Sequence, residues 1–160
     1  MFSTVFGLPV HPLLVHATVV VVPLAVVLVV LAVLVPRFRK WAGPLPAGTA
    51  LVALVLTPLS TATGEDLEHD VPETRLIEEH AHLGDQLLPL TLGLFVLAAA
   101  FWWLTRGQEA ERVTTPRRLV AMVGAVAVLA AIGTGVQVVR IGHSGAKAAW
   151  SGVGSSAGGR

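Results

Sequence analysis

The chain is 160 residues long, 54% hydrophobic and 13% charged, with a mean hydropathy of +0.74 and a formal net charge of +1. A soluble domain carries ~25% charged residues, and a water-soluble core of this length cannot absorb so much apolar surface, whereas a bilayer can. The absence of cysteine excludes disulfides, thiolate metal ligands and covalent c-type haem attachment, and no basic patch with interleaved aromatics supports nucleic-acid binding.

Four runs without Asp, Glu, Lys or Arg (1–36, 41–64, 86–105 and 119–139) are long enough to cross ~30 Å of hydrocarbon, which takes ~20 helical residues. The fold expected is all-α: a polytopic membrane protein, a four-helix bundle with a short amphipathic extension preceding helix 3. The spans are placed at 12–35, 44–63, 84–105 and 119–140, within one domain over 1–150. A glycine- and serine-rich tail, 151–160, is expected to be disordered.

In chain order, 1–10 is expected at the interface, and His11-Pro12 opens the first helix, where a proline's missing N–H costs nothing. That run lacks the basic leading region and cleavage site of a secretory signal, so it is read as a retained helix. Pro23 is expected to kink it, and Pro36 with Arg37, Arg39 and Lys40 to end it. The second span closes on Ser60-Thr61-Ala62-Thr63-Gly64, with Gly64 as a natural C-terminal cap.

Residues 64–85 hold eight of the ten acidic residues and three of the six histidines. Within this polar crown, Asp70 is a plausible N-cap, with Pro72 and Glu73 in the opening turn. Leu76, Ile77, His80, Leu83, Gly84 and Leu87 then recur at helical spacing. His80 falls in the middle of that face, and Glu78, Glu79, His82 and Asp85 fall opposite. An amphipathic helix with His80 inward and His82 in water should therefore feed the third span, with a kink near Pro89. That span ends in the aromatic belt Phe101-Trp102-Trp103. In the fourth, Ala127, Ala131 and Gly135 form a seam for close helix contact, followed by Arg140, His143 between glycines, and Lys147.

The two segments 37–40 and 106–118 carry seven of the eleven basic residues. The positive-inside rule then places them in the cytoplasm, with the crown and both termini outside an inner (cytoplasmic) membrane. All six histidines then lie on one side of the bilayer. Imidazole is the commonest protein metal ligand and a frequent haem ligand. His16 and His80 sit where an ionisable group should face protein or a cavity, and glycines beside His143 allow a close approach. His16, His80 and His143 are therefore the candidate cofactor-binding residues. The set His11, His16, Glu65, Glu79, His80 and His143 would suit a transition metal. Taken singly, His11, His69 and His82 are more simply amphipathic interface residues. Gln137 and Arg140 could pair with Glu65, Glu79 or the crown. No glycine-rich phosphate loop, zinc-protease helix or nucleophile elbow is present, and Ser60 and Ser144 adjoin no obvious relay, so no catalytic residue is assigned.

His11-Pro12-x-x-Val15-His16, Thr63-Gly64-Glu65, Glu79-His80-x-x-x-Gly84 and Gly142-His143-x-Gly145 together resemble the bacterial membrane proteins grouped as domain of unknown function 2231, over residues 9–146. The resemblance implies a four-helix membrane bundle. Some relatives are joined to, or neighbour, Rieske-type or cytochrome-like electron carriers, which implies a redox role. After Gly145 the sequence departs from the pattern, since the further His-Gly that often follows is replaced by Ala146-Lys147-Ala148-Ala149-Trp150. The reading is thus an integral membrane protein that binds haem b or a transition metal at its extracytoplasmic end and takes part in electron transfer. Candidate partners are the bilayer, a redox protein and further copies of the chain. The alternative is a non-catalytic membrane subunit or scaffold whose histidines form a structural polar network. A transporter is disfavoured because the cytoplasmic halves of the spans are almost purely Val, Leu and Ala.

Overall fold

A computed structural model describes residues 4–5, 8–68, 74–109 and 116–150. His69, Asp70, Pro72, Glu73 and the tail 151–160 lie outside the described residues, so the expectations placed on them are not addressed. Two-residue strands β1 (Thr4–Val5) and β2 (Leu8–Pro9) pair antiparallel ahead of helices α1 (Val10–Leu34), α2 (Pro36–Ala42), α3 (Leu45–Glu68), α4 (Arg75–Asp85), α5 (Leu87–Glu109) and α6 (Arg117–Trp150). Four helical stretches have the length and hydropathy to cross a membrane: α1, α3, α4 continued by α5, and α6.

α1 is apolar on every side, as a helix surrounded by lipid and protein must be. Its inward face is the stripe Thr18, Val22, Ala25, Val29 and Ala32, while Val20 and Val27 on other faces are 65% and 52% exposed. Around the bundle α1 packs on α3, α3 on α5, α5 on α6 and α6 back on α1. This leaves α1 diagonal to α5 and α3 diagonal to α6. Lipid tails are as apolar as leucine, so association depends on close van der Waals contact between small residues. The core is accordingly alanine-rich: Ala25, Ala47, Ala50, Ala53, Ala98, Ala127 and Ala131 surround Val22, Val29 and Leu94. Gly135 lies 3.7 Å, measured from the Cβ it lacks, from Val26. The expected seam therefore extends along the buried face of α6.

Proline and glycine act where they must and are overridden elsewhere. Val35 is extended, Pro36 begins α2, and Gly43 takes φ 53° to turn into α3. α4 stops at Asp85, four residues before Pro89, because a proline ring collides with the carbonyl four residues back. The break falls at Gln86, so Pro89 sits in the first turn of α5 and the expected kink is a short interruption before it. Thr74 is the N-cap of α4, its side chain accepting from the Ile77 N–H at 3.4 Å.

One expectation is corrected: Gly64 does not cap α3, which continues through it to Glu68. The helix that carries the fourth span, α6, likewise runs on past residue 140, through Gly142 and Gly145 to Trp150. In both cases packing against a neighbour outweighs glycine's helix penalty of ~1 kcal/mol. α6 keeps contact with α4 along this extension.

Candidate functional site

Where α1, α3, α4 and α6 meet at the histidine end of the bundle, they line a partly open cavity of about 540 Å³. Its walls are mostly aliphatic, including Val15, Val19, Leu67, Ile77, Leu87, Val138 and Ile141. Two imidazoles line it, His11 from α1 and His80 from α4, with Glu65 and Asp85 the carboxylates among the lining residues. Among the described residues, no lysine or arginine lines it. The volume lies in the ~300–1,000 Å³ range typical of small-molecule sites.

Each imidazole is fixed by the neighbouring helix of its own half of the bundle. His11 Nδ1 lies 3.1 Å from the Ser60 carbonyl and 3.3 Å from Thr63 Oγ1 on α3. A carbonyl only accepts, so Nδ1 carries the proton and donates. Thr63 Oγ1 gives its own proton to backbone carbonyls, at 3.0 Å to Leu59 or 3.1 Å to Ser60, leaving its oxygen to accept. His80 Nδ1 lies 3.0 Å from Ser144 Oγ on α6. That hydroxyl donates to the Ile141 carbonyl at 2.9 Å, so Nδ1 of His80 is again the donor. Each ring thus makes, through Nδ1, the kind of orienting hydrogen bond that fixes a metal-ligating histidine.

The rings lie against glycine. A Cβ built on Gly64 would stand 3.0 Å from Cε1 of His11, and one built on Gly145 would stand 2.9 Å from Cε1 of His80. These glycines make room for an imidazole against a neighbouring helix, which explains their presence inside α3 and α6.

The other nominated residues are placed differently. His16 is exposed and does not line the cavity; its Nδ1 donates to the Pro12 carbonyl of its own helix at 2.5 Å. Five residues separate it from His11, about 140° around a helix, so the two cannot share a face. His143 is exposed and outside the cavity lining, because Ser144 takes the buried position and its neighbour turns away by ~100°. Glu65 lines the cavity from an exposed position and Glu79 is exposed outside it. His82 is exposed, accepting from Gln86 Nε2 at 3.1 Å, as its helical position predicts. Among the described residues, no three His, Asp or Glu side chains gather where one metal ion could be held. The geometry joins His11 to His80 and leaves His16 and His143 outside.

Ser60 and Ser144, weighed in the sequence only as nucleophiles, and Thr63, quoted only within a motif, hold the histidines, a role the sequence did not reveal because hydroxyls in apolar helices usually bond their own backbone. The available signal is a hydroxyl residue followed by glycine, Thr63-Gly64 and Ser144-Gly145, in both helices that face a histidine. Gln137 bonds neither Glu65 nor Glu79. It donates to the Leu83 carbonyl at 2.8 Å and to Gln86 Oε1 at 3.4 Å, and accepts from Arg140 Nη1 at 3.3 Å. It therefore serves a carbonyl in the last turn of α4, where intrahelical partners run out.

A family model described as "Predicted membrane protein (DUF2231)" matches residues 7–157. No curated protein and no solved structure matches the chain.

Proposed function

We propose that this chain, which belongs to the DUF2231 family of predicted membrane proteins, holds a b-type haem in the cavity at its histidine end and passes electrons to or from a redox protein at that surface. The observation that carries the reading is a cavity of about 540 Å³, mostly aliphatic, with the imidazoles of His11 and His80 among its lining residues. Haem is a large, mostly apolar disc that needs one or two axial ligands, and a mostly aliphatic cavity with His11 and His80 in its wall supports that reading. Bound there, it would supply one-electron chemistry. The chain's own contribution is to orient imidazole through Ser60, Thr63 and Ser144 and to offer the macrocycle a mostly aliphatic wall. A lone transition metal fits less well, because the carboxylates nearest the imidazoles are exposed and no three ligands converge among the described residues. The basic segments support an inner-membrane orientation with the haem site and both termini outside.

A second reading is favoured by the hydrogen bonds that both imidazoles make across helices. In it the histidines fasten helix ends in a membrane subunit that binds nothing. An absorption spectrum with haem and metal quantitation, on protein purified in mild detergent from haem-replete cells, separates the two. A Soret band near one haem per chain is expected. Its absence, with alanine at His11 or His80 lowering only the melting temperature, would favour the structural network.

A further inference from the structure

The two histidines belong to one constellation that occurs twice. On α1, His11, Val15 and Thr18 line the cavity at positions i, i+4 and i+7, and His80, Gly84 and Leu87 do so at the same spacing on α4 and α5. On α3, Thr57, Ser60, Gly64 and Leu67 line it at i, i+3, i+7 and i+10, and Val138, Ile141, Gly145 and Ala148 repeat that spacing on α6. Spacing alone would be shared by any helix facing a cavity. The register between the helices is more specific. In each half a histidine near the start of one helix donates to a hydroxyl residue near the end of the next, and lies on the glycine that follows it. The order around the bundle fits the same relation, since a half-turn about its axis carries α1 onto α5 and α3 onto α6. The two halves run in the same direction, which makes that axis parallel to the membrane normal, as in parallel-repeat membrane proteins.

We infer that the chain is a duplicated two-helix unit whose cavity consists of two equivalent half-sites, His11 over Thr63-Gly64 and His80 over Ser144-Gly145, gripping one haem from opposite faces through both imidazoles. This rests on the haem reading above and assigns its axial ligands. Diagonal helices supply the two rings, so they approach from opposite sides of the bundle. The halves are unequal in polarity. The first adds Thr18, bonded to Ser60 Oγ at 2.7 Å, and Thr57, where the second has Leu87 and Val138. A bound group would therefore meet one hydroxyl-lined side and one aliphatic side, which gives it a preferred orientation.

The test is the coordination state in single variants of the full-length protein. The wild type should be six-coordinate and low-spin. H11A and H80A should each give five-coordinate, high-spin haem, and added imidazole should restore the low-spin spectrum in both. H11M and H80M, which keep side-chain bulk if the alanine variants do not fold, should each show a His–Met signature. H16A and H143A should keep the wild-type spectrum. Haem that ignores substitution of His11, or that loses its ligand in H16A or H143A, would overturn the paired half-sites while leaving haem binding standing. A wild type without haem would overturn both.

Discussion

A methyl group added at Gly145 would stand 2.9 Å from Cε1 of His80, a separation that neither a backbone-anchored Cβ nor a hydrogen-bonded ring can hold. The imidazole has to move, and with it the bond to Ser144. G145A and G64A are each expected to cost ~1–3 kcal/mol, the usual range for overpacking, read as a lower melting temperature in detergent. S144A should cost ~1 kcal/mol by removing the acceptor for His80 Nδ1, and should widen the range of ring orientations. The reverse change at exposed Ala146, A146S, should cost nothing measurable beyond propensity and serves as a control. At this scale the helical wheel makes His80 and His82 legible, because the polar and apolar faces of α4 are cleanly divided. It fails for His16, since α1 is apolar all round and no contrast marks its protein-facing side. His11, which resembles an interface residue when read singly, is drawn inward by partners 49 and 52 positions away on α3, a distance no local pattern reports.

Among the elements, the junction between α4 and α5 interrupts a helical stretch long and apolar enough to cross a membrane. Broken helices are tolerated there only when protein satisfies the freed backbone, and Gln137 does so at the Leu83 carbonyl. Q137L should remove that donor and cost ~0.6–1.7 kcal/mol, the range measured for interhelical hydrogen bonds in membranes. Hydrogen exchange should rise at residues 83–88 more than in the middle of α1. Unchanged exchange at the junction would deny Gln137 this role. The break was legible from Pro89, and the four spans from their length and lack of charge. The ends of α3 and α6 were not legible, because glycine near a helix end suggests a cap. In this protein the helices continue because a ring from α1 or α4 packs on each glycine.

Across the molecule, the two ends of the bundle differ in chemistry. The end carrying α2 and the start of α6 bears Arg37, Arg39, Lys40, Arg117 and Arg118, with Arg106 stacked 3.3 Å over the Trp103 ring and Trp41 78% exposed. Aromatic and basic residues at that level are interface anchors. The chain has no native cysteine, so single-cysteine labelling can report sidedness directly. H82C should react with an impermeant maleimide from the extracytoplasmic side and K40C only after the membrane is opened; the reverse pattern would invert the topology. The doubled site was present in the letters as two histidines and two hydroxyl–glycine pairs. It was hidden because the residues between them share little beyond hydropathy.

Haemin titration of the apoprotein, beside its H11A/H80A double variant, tests the central claim most directly. The wild type should saturate at one haem per chain with a low-spin bis-imidazole spectrum, and the double variant should lose that spectrum and most of the affinity. Equal binding and equal spectra in the two proteins would contradict it.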